Sequence, residues 1–292
     1  MASGGDASSY GSRVFAFDFD GECGRVLLRR RAHISPGDKM DLRCFIAARC
    51  MMMVDRMREL RPIVETGYEN ILLVRLLIEE VCYNRRAHVA ACLPRRMGLP
   101  TLYSSEDLFE IWGPDARDAL ASRYGMDREE LVDAFGSTRD KWIETDFESW
   151  LGANTFYEGV PEAISSCEGE VYVITTKQTR FASALLDHAG VEVPQDRIFG
   201  LGTGPKPGVL AQLLSKHSGA TIFFFEDRVE ALEAVCNDDR LKDVQLYLCE
   251  WGFNTAAQRA RGEANERVNL IGTGEIGGIL APGDPAATEK RP

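Results

Sequence analysis

Short apolar runs alternate with helical segments in the C-terminal half of the chain. Four runs rich in β-branched and aromatic residues predict buried strands: "EVYVIT" (170–175), "DRIFGLG" (196–202), "ATIFFFED" (220–227) and "VQLYLCEWG" (244–252). Three segments with helical spacing follow the first three: "RFASALLDHAG" (180–190), "KPGVLAQLLSKHSG" (206–219) and "RVEALEAVCND" (228–238). "FAFDFD" (15–20) predicts a similar strand near the N-terminus. Strands separated by helices of this length predict an α/β fold with a Rossmann-like, doubly wound parallel sheet.

The middle of the chain has a different pattern, with long helical periodicity and almost no strand signal. Its clearest helical segments are 40–60, 64–83, 114–125 and 127–151. This order predicts a helical domain inserted after the first strand of an α/β domain. We expect the α/β core to comprise 13–22 and 156–280, and the inserted domain 23–155. We expect disorder at 1–12, which are mostly small and polar, and at 281–292, which are rich in Pro and charge.

Composition narrows the functional classes. The formal net charge is −11 and the pI is about 5.0. This argues against nucleic acid as the main partner, because a protein needs clustered Lys and Arg to bind a phosphate backbone. No apolar run approaches the roughly 20 residues of a membrane span, and no secretory leader is evident, so we expect a soluble, cytoplasmic protein with no membrane partner. The eight cysteines form no CxxC pair and are interpreted as mostly reduced, buried thiols.

Polar side chains follow the predicted strands, at the sheet edge where open parallel sheets bind ligands. They are four carboxylates, two hydroxyls and one lysine: Asp18, Asp20, Glu226, Asp227, Thr175, Thr176 and Lys206. Carboxylates this close repel one another unless a cation intervenes, and oxygen ligands without nearby His or Cys favour Mg²⁺. A cation, a lysine, hydroxyls and helix N-termini suit a phosphate dianion. One aspartate could attack phosphorus, and Asp20 could protonate the leaving oxygen and then activate water.

Several of these residues have competitors or simpler roles. Thr176 competes with Thr175 for the phosphate-binding role, which we assign to Thr175 because it directly follows the apolar run. Lys177 competes with Lys206, but we interpret Lys177 as a solvated loop lysine, since Pro207 fixes a helix start beside Lys206. Glu226 and Asp227 could simply cap the following helix, which is compatible with metal binding.

The order and spacing of four motifs resemble the haloacid dehalogenase-like (HAD) hydrolase superfamily, nearest to its phosphoglycolate-phosphatase-like members. The motifs are DxDG at Asp18–Gly21, the strand "VYVITT" ending at Thr175 and Thr176, Lys206 in "GPKPGVL", and "IFFFEDR" with Glu226 and Asp227. "FYEGVPEAI" (156–164) and "EWGFNT" (250–255) are similar to lesser features of the same subgroup. The middle of the chain resembles, in character and position, the helical cap that such proteins insert after the first motif.

The resemblance implies roles for these positions. Asp18 would be the nucleophile and a metal ligand, and Asp20 the acid/base, with its backbone carbonyl on the metal. Thr175 and Lys206 would hold the substrate phosphate, aided by Thr176 and Gly21. Asp227 would bind Mg²⁺, with Glu226 on or beside the metal. The expected activity is Mg²⁺-dependent hydrolysis of a small phosphorylated metabolite, phosphoglycolate-like or a sugar phosphate, through an aspartyl-phosphate on Asp18.

Two departures from the family pattern keep other functions open. Glu22, Cys23 and Gly24 follow the first motif, where an extra acid could repel a dianionic substrate. Ala231 stands where many relatives carry an acid, and Glu230 should point elsewhere. The alternatives are a catalytically impaired HAD-fold protein that binds a ligand or partner, and a phosphosugar mutase. Dehalogenation is disfavoured because family dehalogenases lack a second Asp at the position of Asp20.

Overall fold

A computed structural model describes residues 12–19, 25–26, 53–89 and 103–281. The chain divides into two compact units, with boundaries between Arg25 and Val26 and between Ala153 and Asn154. Here the outer segments are called the α/β unit and the segment between the boundaries the helical unit. Apart from Ser12 and Ala281, the termini expected to be disordered lie outside the described residues.

Strands are described in two sheets. They are β1 Arg13–Phe17, β2 Arg25–Val26, β3 Asn154–Thr155, β4 Glu170–Ile174, β5 Ile198–Phe199, β6 Thr221–Glu226, β7 Gln245–Cys249 and β8 Val268–Ile271. Six of them form one parallel sheet in the order β5-β4-β1-β6-β7-β8, and β2 pairs with β3. The parallel sheet confirms the predicted α/β class.

Helices lie between many of these strands and make up most of the described part of the helical unit. The α-helices are α1 (residues 53–59 within the described chain), α2 Glu69–Val89, α3 Ser105–Ile111, α4 Pro114–Arg123, α5 Arg128–Thr145, α6 Phe147–Leu151, α7 Val160–Ser165, α8 Thr179–Ala189, α9 Lys206–Lys216, α10 Val229–Cys236, α11 Ala256–Glu263 and α12 Thr273–Leu280. Short 3₁₀ helices are Arg61–Ile63, Gln195–Arg197 and Asp239–Leu241.

The structure differs from the predicted strand pattern in two places. The run 196–202 contributes only Ile198–Phe199, because a 3₁₀ turn precedes them and Gly202 (φ 96°) follows in a backbone region that other residues rarely adopt. β8 was not predicted, since it is short and interrupted by Asn269. The Asn269 amide donates to the Leu246 carbonyl of β7 at 3.1 Å, so this polar residue is accommodated at the sheet.

One predicted helix is in fact two. The segment 127–151 breaks at Asp146, whose backbone leaves the helical region at φ −160° and ψ 76°. The Asp146 side chain then accepts a hydrogen bond from the Ser149 N–H at 3.0 Å and caps α6. An Asp that can cap a new helix therefore interrupts an otherwise continuous helical pattern.

Both faces of the parallel sheet are buried, which explains the nearly continuous apolar runs of β1 and β6. On one face, the Phe17 and Phe225 rings stack with their centroids 4.6 Å apart. On the other face, Ala16 and Phe224 belong to a core that includes Val209 of α9 and Leu232 of α10. The strand ends, where the side chains become polar, are thereby fixed.

The helical unit has its own apolar core. One cluster centres on Leu60, Leu73 and Leu108, and the partly buried side chains of Met53 and Met57 pack against it. These two methionines therefore contribute to the core of the helical unit.

The described residues also bear on the expectations from composition. None of the described helices is both long and apolar enough to cross a membrane. Cys167, Cys236 and Cys249 have free thiols, and Cys249 is buried while the other two are half-buried. These three cysteines are therefore not cross-linked.

Candidate functional site

Two neighbouring strands end at the same level and deliver three carboxylates. Phe17 of β1 is level with Phe225 of β6, and the Asp18 N–H donates to the Phe225 carbonyl at 3.0 Å. Asp18 thus leaves the sheet beside Glu226 and Asp227, and all three residues are at most 3% exposed. Carboxylate oxygens from the three lie within 4.8 Å of one another, as expected for strands that end together.

Lys206 brings a positive charge to this cluster. It begins α9, with Pro205 at the N-cap and Pro207 at the helix start, as its sequence context predicts. Its ammonium lies 3.1 Å from Asp18 Oδ1 and also donates to Glu226 Oε2. One lysine therefore contacts two of the three buried acids.

The charge of the cluster is not balanced by this lysine. The pKa of Glu226 is raised well above its ordinary value of 4.5, primarily by burial and further by the charges of Asp18 and Asp227, while Lys206 opposes the shift. Several buried oxygen ligands with excess negative charge suit a hard divalent cation. The residues present therefore fit a metal ion such as Mg²⁺.

This imbalance predicts a pH-dependent stability for the metal-free protein. Folded Glu226 holds its proton more tightly than the unfolded chain does, so its contribution to stability is present at low pH and lost as pH rises above about 4.5. Glu226→Gln should remove that loss, so in EDTA the variant's melting temperature should rise relative to wild type as the pH increases above about 4.5. The exposed Glu192→Gln is the control, and a pH-independent difference for Glu226→Gln would contradict the prediction.

Thr175 and its neighbours occupy the turn after β4. Thr175 is buried, its N–H donates to the Phe199 carbonyl at 2.9 Å, and its hydroxyl oxygen accepts from the Lys177 N–H at 3.0 Å. Because that oxygen is held as an acceptor, the hydroxyl proton can be directed to a ligand. The competing Thr176 follows in the same turn and is half-buried.

Lys177 is not the solvated loop lysine that the sequence predicts. It is only 7% exposed, and its ammonium lies 5.9 Å from the centroid of the buried Phe19 ring. Its carbonyl accepts from the Leu201 N–H at 2.9 Å, which anchors the turn. The prediction of exposure is therefore wrong, since the side chain is buried with its ammonium near an aromatic ring of the first motif.

A turn after β7 reaches Asp227, although the sequence assigned it no functional role. The Phe253 N–H donates to Asp227 Oδ2 at 2.5 Å, and Asn254 donates to the Asp227 carbonyl at 3.0 Å. The turn belongs to "EWGFNT" (250–255), a segment singled out in the sequence only for its similarity to a lesser feature of the family. Its Trp251 makes an edge contact with Tyr157 of "FYEGVPEAI" at a centroid distance of 6.4 Å.

Glu230 lies away from the three acids, as expected. It pairs with Arg261 of α11 and is held near Arg228, whose Nη2 is 3.8 Å from Glu230 Oε2. Burial would raise the pKa of Glu230, but a hydrogen bond from its own backbone N–H and the charges of Arg228 and Arg261 outweigh burial, so the pKa is lowered. Asp20 and Gly21 of the first motif lie outside the described residues, as do Glu22, Cys23 and Gly24, which follow it.

The chain is similar to solved structures that are described as haloacid dehalogenase-like. A HAD-like hydrolase family protein from Streptococcus pneumoniae has 12% identity and a TM-score of 0.44, with 93% of this chain and 99% of that chain covered. A HAD-like protein of unknown function from Agrobacterium tumefaciens has 14% identity and a TM-score of 0.48, with 92% and 98% covered. One described as a HAD-like hydrolase, from Burkholderia xenovorans, has 12% identity and a TM-score of 0.41, with 92% and 96% covered. No family model and no curated protein matches the chain.

Proposed function

We propose that the protein is a HAD-type hydrolase, specifically a Mg²⁺-dependent phosphatase that acts on a small phosphorylated metabolite through an aspartyl-phosphate on Asp18. The observation that carries the proposal is the contact of Lys206 with both Asp18 and Glu226 inside a buried cluster of three acids. A surface acid at a strand end needs no such lysine and would not be buried. The arrangement supports chemistry on a strongly anionic group.

The residues divide the reaction between them. A carboxylate oxygen of Asp18 forms a bond to phosphorus as the phosphorus–ester oxygen bond breaks, and the leaving oxygen takes a proton from Asp20. Water then attacks phosphorus and gives a proton to Asp20, which releases phosphate and restores the Asp18 carboxylate. Lys206 neutralises negative charge on Asp18 and on the phosphoryl oxygens. Thr175 donates a hydrogen bond from its hydroxyl to one phosphoryl oxygen.

The metal would be held by Asp18 and Asp227, by Glu226 on or beside it, and by the backbone carbonyl of Asp20. When bound, Mg²⁺ neutralises charge on the phosphoryl group and on the acids. The clustering of three buried acids around one lysine contact supports this assignment. Burial is the main cause of the raised pKa of Glu226, and the charges of Asp18 and Asp227 add to it.

The test is phosphate release from p-nitrophenyl phosphate by the purified protein. We expect turnover with Mg²⁺ and its loss in excess EDTA. Beryllofluoride with Mg²⁺, a mimic of the aspartyl-phosphate, should raise the melting temperature. Turnover equal to that of a buffer blank, together with no response to beryllofluoride, would contradict the proposal and leave the impaired binding protein as the better account.

A further inference from the structure

We propose that Asn254 and Arg259 are positioning residues that hold Asp227 in the orientation needed to bind a divalent cation. The inference rests on the proposed function, since it concerns the metal site of that reaction. Neither residue contacts the metal or the substrate in this proposal. Both act through the turn that follows β7.

The turn holds Asp227 at its side chain and at its backbone. The Phe253 N–H donates to Asp227 Oδ2 at 2.5 Å, which fixes the rotation of the carboxylate. The Asn254 amide donates to the Asp227 carbonyl at 3.0 Å and to the Cys249 carbonyl at 2.9 Å. A single side chain therefore joins the end of β7 to the residue that follows β6.

Arg259 determines which way the Asn254 amide faces. Its Nη1 donates to Asn254 Oδ1 at 2.8 Å and to the Asn254 carbonyl at 3.2 Å. An arginine can only donate, so the amide oxygen must face it and the amide NH₂ must face the two carbonyls. Arg259 lies on α11, whose start is fixed by a capping box between Thr255 and Gln258.

The close approach of the turn requires a glycine. A Cβ at position 252 would overlap Cβ and Oδ2 of Asp227. Gly252 therefore allows the backbone to lie directly against the acid. The contact is specific to Asp227, because the nearest atoms to that Cβ position all belong to its side chain.

The chain offers matched controls for both side chains in the same unit. Asn269 also donates its amide to a backbone carbonyl, that of Leu246, at 3.1 Å. Arg267 also donates from its guanidinium to backbone carbonyls, those of Leu241 at 2.8 Å and Cys236 at 3.3 Å. Neither control contacts the turn or Asp227 through these bonds.

The experiment measures metal binding directly, by calorimetric titration of the full chain with Mg²⁺ or Mn²⁺, alongside the metal-induced rise in melting temperature. We expect Asn254→Ala and Arg259→Met to weaken metal binding about 10- to 100-fold, the usual effect of removing groups that orient a ligand. Asn269→Ala and Arg267→Met should lower the melting temperature but leave the dissociation constant unchanged. Arg259→Lys, which keeps a donor, should restore part of the affinity.

The outcomes separate this inference from the proposed function. Metal affinity equal to wild type in both test variants, or equal loss in the controls, would overturn the inference alone. Failure of the wild-type protein to bind metal would overturn both. If Asn254→Ala does not fold, Arg259→Met decides, because it keeps the amide and removes only the group that orients it. Activity at saturating Mg²⁺ should recover, while the Mg²⁺ concentration needed for half-maximal activity rises.

Discussion

Asp18→Asn is expected to lower phosphate release from p-nitrophenyl phosphate by at least about 10³-fold without unfolding the protein. The amide keeps the shape of the side chain and its place beside Lys206, but it cannot attack phosphorus. Turnover at saturating Mg²⁺ is the measurement. Asp187→Asn, which changes an exposed acid on α8, should leave turnover unchanged.

The stability of the same variant distinguishes a lost nucleophile from a lost fold. Asp18 is one of the charges that raise the pKa of Glu226, so its neutralisation relieves repulsion among buried acids. The metal-free variant should therefore melt no lower than wild type near neutral pH, while its stabilisation by Mg²⁺ should shrink. Retained turnover would contradict the role of Asp18 as nucleophile, and a large fall in melting temperature would show that Asp18 is mainly structural.

The grouping of the candidate site residues could be predicted from the sequence because it depends on topology. Asp18 and the Glu226–Asp227 pair each follow a run with the composition of a buried strand, and parallel strands present their carboxyl ends at one edge. The position of Lys206 near these acids could be predicted because it stands at the start of a helix that follows another strand. The structure brings these residues together. The predictions for Asp20 and Gly21 fall outside the described residues.

Other features depend on neighbours that a sequence pattern does not specify. The turn containing Asn254 reaches Asp227 only because β7 lies next to β6, and no periodicity indicates which strands are adjacent. Lys177 was expected to be exposed because lysines usually are. It is buried, and its ammonium lies near the ring of Phe19, a residue distant in sequence. β8 escaped prediction because one polar residue in a four-residue strand removes the apolar signal.

The helical unit contains a buried acid that the sequence does not single out. Glu69, at the start of α2, is 0% exposed. Its carboxylate accepts from the Thr66 N–H at 2.8 Å, the Glu65 N–H at 3.3 Å, the Trp112 indole at 2.9 Å and Arg117 Nη1 at 2.7 Å. One side chain thus connects α2 to the end of α3 and to α4.

Glu69→Ala is therefore expected to lower the free energy of unfolding of the helical unit by about 3–5 kcal/mol. The substitution removes the buried one of the two acids that pair with the half-buried Arg117, leaving Glu65 at 3.1 Å. It also removes the acceptor of three N–H groups, each of which costs free energy when it is not hydrogen-bonded. Glu69→Gln keeps one acceptor oxygen and should lose less, about 1–3 kcal/mol. Urea unfolding followed by circular dichroism and tryptophan fluorescence gives the values.

The matched control is Glu79→Ala, on the same helix. Glu79 pairs with Arg123 at 2.7 Å, but the two side chains are 27% and 48% exposed, and such pairs contribute at most about 1 kcal/mol. Both glutamates thus form a short ion pair with an arginine of α4, and they differ in burial and in the number of donors that they satisfy. Equal losses for Glu69→Ala and Glu79→Ala would contradict the interpretation. A larger loss for Glu69→Ala would show that the burial of Glu69 and its additional hydrogen bonds stabilise the helical unit beyond what a more exposed ion pair contributes.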